Sequence, residues 1–268
     1  MAFLNGDELS GLIGPMVIRR MDNGKVIVQT KPRQYTQSKK TKSTTGLFGI
    51  GSKVASQIRA QLASAIGYYD PSMINRFNTP IKAVLNHCYD KITKIFNFEK
   101  DSFSRLTDFE FNIKSPLINF LWVKPEMILV ENVLKLTIPT FTVGKQLIFP
   151  SDTNVCQMTI AITQININQE LERQELMYDF EISSDQKNVL SREILFDVEN
   201  ATLCIASLGL YYFKKTGDIK TPYNSKAFNP ANIIGAIITP GVYVPTPAST
   251  NIHKSTSPEW SRSFSIKF

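Results

Sequence analysis

A helical spacing of apolar residues marks one segment of the chain. Between about residues 45 and 98, apolar residues recur three, four and seven positions apart, which is the period of an amphipathic helix. Thr44 or Thr45, Asp70-Pro71 and Thr79-Pro80 are typical of helix starts, because such residues cap the first turn or fit into it. We therefore predict two longer helices with a short helix between them, the last one beginning at Pro80.

From Phe103 onward the spacing of apolar residues changes to two. Short alternating runs comprise Phe109, Phe111 and Ile113; Leu134, Leu136 and Ile138; Met158, Ile160 and Ile162; Phe180 and Ile182; and Ile194, Phe196 and Val198. Turn-forming residues bound these runs and no helical period separates them, which indicates an antiparallel β-sandwich or jelly-roll-like body. Residues 201–213 are apolar on both faces, as is typical of a central strand.

The N-terminal region predicts a hairpin followed by a polar arm. Val17-Ile18 and Val26-Ile27-Val28 flank Asn23-Gly24, and an Asn-Gly pair between β-forming residues is a strong signal for a tight hairpin turn. Residues 34–45 are rich in Gln, Ser, Thr and Lys and contain too little apolar surface to fold alone. We interpret this run as an arm.

Repeated prolines mark the tail from residue 216, which we expect to be extended, with short pairings at residues 233–238 and 241–244. Residues 261–268 alternate once more, with Phe264, Ile266 and Phe268 on one side. This pattern predicts a terminal strand that pairs either within its own chain or with a neighbouring copy.

Together these patterns predict a mainly β protein with a helical N-terminal part, which is an α+β fold. The predicted organisation is a hairpin and basic arm at residues 1–45, a helical subdomain at 46–100, and an antiparallel β-sandwich with a Pro-rich extended tail at 101–268. A chain of 268 residues, 43% of them hydrophobic, has enough apolar surface for one large core or two small ones. Composition therefore excludes a disordered chain.

Positive charge is concentrated in one segment. The chain has 30 Lys and Arg against 23 Asp and Glu, a formal net charge of +7. Residues 25–69 contain no acidic residue, and their cations are Lys25, Lys31, Arg33, Lys39, Lys40, Lys42, Lys53 and Arg59. Such a segment could neutralise nucleic-acid phosphates in salt-sensitive contacts. Against this, Tyr35 is its only aromatic residue before Phe48, and base stacking needs aromatic side chains.

The sequence contains no recognisable catalytic, cofactor-binding or metal site. The three cysteines, Cys88, Cys156 and Cys204, are odd in number and widely spaced, so we expect buried thiols. His87, beside Cys88, has no second nearby ligand for zinc, and we expect it on a helix surface. Residues 46–53 resemble a phosphate-binding loop, but Ser52 precedes Lys53 and Walker A needs the opposite order. We expect these glycines to allow close packing at the start of a helix.

Acidic pairs and tryptophans are the remaining candidates for chemistry. Asp108 and Glu110 stand at strand spacing, and we expect them on a solvated strand face rather than as paired catalytic carboxyls. Trp122 and Trp260 are expected as core or interface aromatics rather than as a sugar-stacking platform. Catalytic residues scattered over sandwich loops would leave no motif, so an enzyme is the weakest alternative.

The N-terminus has neither the basic region nor the apolar run of a signal peptide, and no stretch approaches the roughly 18 apolar residues of a membrane span. We therefore predict no membrane span and, by default, a cytoplasmic location. Release without a classical signal stays open.

Short motifs in the first sixty residues carry a resemblance. Gly11-x-x-Gly14-Pro15-x-Val17, Gly24-Lys25-Val26-x-Val28, Lys31-Pro32 and Thr36-Gln37 precede an alanine-containing helix. This arrangement resembles an uncharacterised protein family of unknown function that is common in Bacteroidota genomes. The resemblance implies a bacterial setting and no activity. In such families a long helix starts after the Thr-Gln pair, whereas here residues 38–45 are polar.

Two functional hypotheses follow. The first is a non-enzymatic structural protein that self-assembles through its arm and terminal strand into a homo-oligomer, filament or shell, with copies of itself as partners. The alternative is a protein that binds nucleic acid or another acidic polymer through the basic arm. The candidate contact residues for either are Lys31, Arg33, Lys39, Lys40, Lys42, Lys53, Phe264, Ile266 and Phe268.

Overall fold

The computed structural model describes residues 2–5, 8–21, 23–31, 39–244 and 260–262, with the backbone alone at residues 2–5, 8 and 39–45. The chain forms two compact units, Met1–Thr44 and Thr45–Phe268. Strands account for 42% of the structure and helices for 19%, and the sheets are antiparallel. The predicted mainly β, α+β fold is therefore confirmed.

The N-terminal unit is a four-stranded sheet whose strands follow one another in sequence order. They are β1 (Ala2–Asn5), β2 (Glu8–Ile13), β3 (Met16–Arg20) and β4 (Val26–Thr30). β3 and β4 form the predicted hairpin, in which Ile18 lies opposite Val28. Gly24, with a φ of 79°, donates its backbone N–H to Met21 O at 2.8 Å within the connection. β1 and β2 extend this hairpin into a sheet that the sequence pattern did not predict.

Three helices follow: α1 (Lys39–Gln61), α2 (Ala63–Ile66) and α3 (Met73–Cys88). The predicted start at Thr44 or Thr45 is wrong, because α1 begins at Lys39 and residues 39–45 are helical. The later turns of α1 bury Ile50, Val54 and Ile58. Once packed turns have nucleated a helix, each further residue adds a hydrogen bond, so the polar residues extend α1 towards its N-terminus.

Pro80 lies inside α3, so the predicted helix start at Thr79-Pro80 is also wrong. An interior proline removes a backbone hydrogen bond and costs about 3 kcal/mol. One apolar side of α3 is buried, and its members are Met73, Phe77, Ile81, Val84, Leu85 and Cys88. Since a fully buried large apolar side chain contributes roughly 1.5–3 kcal/mol, this packing offsets the cost and the helix continues through the proline.

The remaining elements are short 3-10 turns and strands. The 3-10 turns are Phe103–Leu106 and Leu117–Asn119. The strands are β5 (Glu126–Val130), β6 (Val133–Ile138), β7 (Phe141–Thr142), β8 (Val155–Asn166), β9 (Leu171–Glu172), β10 (Leu176–Ser183), β11 (Asn188–Val189), β12 (Arg192–Asp197), β13 (Leu203–Thr216), β14 (Ile219–Pro222) and β15 (Ala231–Ile238).

β13 lies at the centre of the largest sheet, which confirms the central strand predicted at residues 201–213. One edge of β13 pairs with β8 from Leu203 opposite Ile165 to Phe213 opposite Val155. The other edge pairs first with β15 and then with β14. On the far side of β8 lie β10 and β9. The smaller sheets are β12-β6-β5 and β11-β7.

The central sheet has a separate apolar core on each face. Leu203 and Ile205 of β13 pack into the core that the three helices share. Leu208 and Tyr212 of the same strand pack into the other core, which Leu136 of β6 also enters. β8 and β13 are thus buried on both faces, which explains why their sequences read as nearly continuous apolar runs.

Two predicted strands are absent from the described residues. Phe109 and Phe111 do not belong to a strand but lie beside α3, where the Phe109 ring is 5.2 Å from the Phe77 ring. Asp108, with a φ of 63°, interrupts extended backbone at the start of that segment. Residues 241–244 contain no strand either, although β15 confirms the pairing expected at residues 233–238. The predicted strand at residues 261–268 lies outside the described residues from 263 onward.

A glycine allows the closest contact between the helices and the central sheet. A Cβ atom at Gly209 of β13 would lie 2.1 Å from the backbone oxygen of Ala65 in α2. Two residues along β13, the Tyr211 hydroxyl donates to Ser64 O at 2.7 Å. α2 therefore rests directly on the backbone of β13, with no side chain between them.

We expect Gly209→Ala to destabilise the protein by about 1–3 kcal/mol, because the added methyl group forces α2 away from the sheet. Gly49→Ala in α1 is the matched control, since a Cβ atom there meets nothing within 4 Å. In a helix interior this control should stabilise the protein by roughly 0.5–1 kcal/mol. Urea unfolding followed by circular dichroism measures both effects, and a Gly209→Ala protein as stable as the wild type would contradict the contact.

Candidate functional site

The N-terminal sheet carries an apolar face. Residues directly opposite each other in paired strands point to the same side of a sheet, and the strand register therefore identifies which residues share a face. Gly11, Arg20 and Thr30 lie on one face of this sheet together with six apolar residues, namely Leu9, Ile13, Met16, Ile18, Val26 and Val28. Apart from Ile18, these side chains are exposed, from 36% at Ile13 to 57% at Val28. We call this set the apolar face.

The opposite face of the same sheet is mixed in character. It carries Ser10, Leu12, Val17, Arg19, Ile27 and Gln29. Arg19 of β3 and Gln29 of β4 are exposed polar side chains on this face. One face of the sheet is therefore mainly apolar, while the other mixes apolar and polar side chains.

β4 is also an edge of this sheet. Among the described strands it pairs with β3 alone, so its second row of backbone N–H and C=O groups faces outward. Its sequence, VIVQT, contains neither a charged residue nor a proline. Natural proteins usually protect such edges with charges, prolines or bulges, and an unprotected edge accepts a further strand.

The predicted contact residues fall on different parts of the chain. Lys31 directly follows β4 and is exposed, and Lys53 lies in α1 within the second unit. The backbone of Lys39, Lys40 and Lys42 lies in the first turns of α1. Four of the predicted residues, namely Arg33, Phe264, Ile266 and Phe268, lie outside the described residues. The structure places Lys31 and Lys53 in different units, and the predicted contacts of this set stay a prediction.

Exposed cations do occur on the N-terminal sheet. Arg19 and Arg20 lie in β3, and Lys25 and Lys31 flank β4 at its two ends. All four residues are exposed. The sequence pointed to the positive charge of this region but not to the apolar face, on which Arg20 also lies, because that face depends on how the strands align.

Ser261, the first residue of the predicted terminal strand, pairs within its own chain. Ser261 donates its N–H to Glu172 O at 2.8 Å and accepts from Glu172 N at 2.9 Å. Beside it, the Arg173 guanidinium lies over the Trp260 ring at 4.6 Å and pairs with Glu199. Residues 260–262 therefore add a short backbone pairing to β9.

The cysteines and His87 lie where the sequence indicated, but the expected position of the glycine run at the start of a helix is wrong. Cys88, Cys156 and Cys204 are buried free thiols, and burial raises the pKa of Cys204 to about 12. His87 is exposed on α3 and contacts Asp101. Residues 46–53 lie inside α1, where helical hydrogen bonds occupy the backbone, and of these glycines Gly51 packs closely, against Lys82. Within the described ranges, no three His, Cys, Asp or Glu residues form a group that could hold a metal ion.

A second feature is a cavity of about 390 Å³ that lies between residues 108–125 and β15. Glu110 and Asn232 lie opposite each other there in an isolated β-bridge. The Glu110 carboxylate accepts the backbone N–H of Leu117 at 3.0 Å, and Arg76 of α3 donates to the Glu110 backbone oxygen at 3.0 Å. Three elements thus hold Glu110 at the cavity wall.

Burial raises the pKa of Glu110 to about 7 from its ordinary value of 4.5. Hydrogen bonds from Leu117 N and the Asn232 amide oppose this rise, and the nearby charge of Asp108 adds to it. Asp108 is exposed and pairs with Lys124 at 2.8 Å, so the expected solvated position is confirmed for Asp108 and wrong for Glu110. Trp122 also lines the cavity and is 63% exposed, so it is not a core aromatic, and the expected interface position stays a prediction.

Comparison of the chain with protein-family models, with curated proteins and with solved structures finds no match. No helix in the part of the chain that the structure describes is both long enough and apolar enough to cross a membrane.

We expect Glu110→Gln to change how stability depends on pH. The pKa of Glu110 is higher in the folded state than in the unfolded state. The contribution of Glu110 to the stability of the wild type is therefore fully present below pH 4.5 and is lost as the pH rises through 7. Glutamine does not ionise, so the variant escapes this loss. Relative to the wild type it should gain on the order of 1–2 kcal/mol at pH 8, after allowance for solvent screening of a partly exposed group. Urea unfolding at pH 4, 6 and 8 tests this, and a difference that does not vary with pH would refute it.

Proposed function

We propose that this chain is a non-enzymatic structural protein that self-assembles into a homo-oligomer, filament or shell, and that its N-terminal sheet provides the contact between copies. The observation that carries the proposal is the apolar face, on which Val26, Val28 and Met16 are each about half exposed. Contiguous exposed apolar patches on soluble proteins mark sites of interaction.

The physical argument concerns the sheet itself. A sheet of short strands is stabilised by burying one apolar face against another layer. A second copy of the chain presents the same apolar face, and two copies related by a two-fold axis bury both faces at once. The unprotected edge of β4 offers a second contact, in which backbone hydrogen bonds join sheets of neighbouring copies. Face and edge together allow an assembly to grow beyond a dimer.

The proposed contact through the terminal strand concerns Phe264, Ile266 and Phe268, which lie outside the described residues. It stays a prediction, and the N-terminal sheet supports the assembly hypothesis independently of it.

Two neighbouring substitutions in β4 test the apolar face. Val28→Lys places a charge on the apolar face, whereas Gln29→Lys places the same charge on the opposite, mixed face. Burying an unpaired ammonium group is costly, so Val28→Lys should weaken association at least about tenfold, while Gln29→Lys should associate like the wild type. Size-exclusion chromatography with light scattering over a range of protein concentrations measures this. A wild-type protein that is monomeric throughout, or equal effects of the two variants, would contradict the proposal.

Exposed cations on the same unit favour the alternative function, which is binding of nucleic acid or another polyanion. The dependence of binding on salt concentration distinguishes this function from self-assembly. Contacts to phosphates weaken steeply as salt rises, because binding releases counterions. Association of two basic sheets through apolar faces should strengthen or stay constant, because salt screens their repulsion.

We therefore expect Lys25→Gln with Lys31→Gln to reduce affinity for a 20-base-pair DNA duplex if the alternative holds, with wild-type affinity falling about tenfold or more between 50 and 200 mM salt. Fluorescence anisotropy of the labelled duplex measures this. Absence of binding at 50 mM salt would remove the alternative.

A further inference from the structure

We propose that the cavity between residues 108–125 and β15 binds a primary ammonium group carried on a short aliphatic chain. The proposal does not depend on self-assembly, because the cavity lies wholly within the second unit.

A carboxylate at the cavity wall points to a ligand with N–H donors. Glu110 lies opposite Asn232, which is 9% exposed, and both residues line the cavity. An ionised carboxylate has about four acceptor sites, and the Leu117 N–H and the Asn232 amide use part of this capacity at Glu110. The remaining acceptor sites match the several donors of an ammonium group.

Nearby protein cations already have partners. Lys124 pairs with Asp108 at 2.8 Å, and the Arg76 guanidinium pairs with Asp70. Two charged groups act on Glu110: Asp108 from the same segment and Arg76 from α3. Besides Asp108 and Glu110, Lys124 is the charged residue that lines the cavity. A bound ammonium group would therefore pair with a carboxylate that forms no ion pair with these two protein cations.

The rest of the cavity suits an apolar stem. Trp122 lies at the mouth with 63% of its surface exposed, and Leu121, Pro116 and Pro125 line the wall. The face of a tryptophan ring attracts cations and also packs against methylene groups. A volume of about 390 Å³ accommodates a chain of a few carbon atoms together with its ammonium group.

Binding should be coupled to ionisation of Glu110. The protonated acid releases its proton to solvent, and the resulting carboxylate pairs with the ammonium group, so charge and atoms balance. Because the Glu110 pKa is about 7, the ionised fraction in the free protein rises about tenfold between pH 6 and pH 8. The affinity for the ammonium ligand should rise by the same factor, whereas a neutral ligand would gain nothing.

The chain has two tryptophans, which provide a direct readout. We would titrate the full chain with n-butylammonium chloride at pH 6, 7 and 8 and follow the indole N–H signals by NMR. Trp122 should shift saturably and Trp260, which lies outside this cavity, should not; a Trp260→Phe protein assigns the two signals. n-Butanol tests the need for charge, and tetramethylammonium tests the need for N–H donors.

Variants identify the acceptor. Glu110→Gln should bind butylammonium at least about tenfold more weakly at pH 8 and lose the pH dependence, while its unfolding curve at pH 4 shows that it is folded. Glu126→Gln removes an exposed carboxyl that does not line the cavity and should bind like the wild type. No saturable shift of Trp122 at pH 8, equal binding of butanol, or unchanged binding by Glu110→Gln would each overturn the proposal.

Discussion

Burial of β13 on both faces is the constraint on which the second unit depends. Its long pairing with β8 forms the middle of the sheet, and its side chains enter both apolar cores alternately. A strand in this position tolerates little change, because one face meets the helices and the other meets the small sheets. Gly209 shows how close the fit is, since the backbone of α2 occupies the space of its missing Cβ.

The same constraint explains how polar groups are placed in this unit. The Tyr212 hydroxyl, buried in one core, donates to Ile148 O at 2.9 Å, and Thr163 of β8 donates to Gln61 at the end of α1. Such pairs satisfy polar atoms where water is excluded. Asn232 Oδ1 departs from this pattern, as one of six buried side-chain atoms among the described residues that have no hydrogen-bond partner.

Sequence patterns could predict the elements with the clearest periods and not the contacts between them. The central strand at residues 201–213 and the β3–β4 hairpin followed from local sequence, because each depends on residues that are near one another. The buried cysteines followed from their number and spacing. Pro80 misled the helix assignment, since a local rule gave way to the buried side of α3. The position of Glu110 could not be predicted, because it lies opposite Asn232, far along the chain. The apolar face likewise required the register of four strands.

The central claim is that copies of this chain meet through the N-terminal sheet. Hydrogen exchange of the backbone amides in β4, measured at low and high protein concentration, tests it most directly, with the amides of β13 as an internal reference. Association stabilises the sheet by mass action, so exchange in β4 should slow as concentration rises while exchange in β13 stays constant. Exchange in β4 that is equally fast at every concentration would contradict the account.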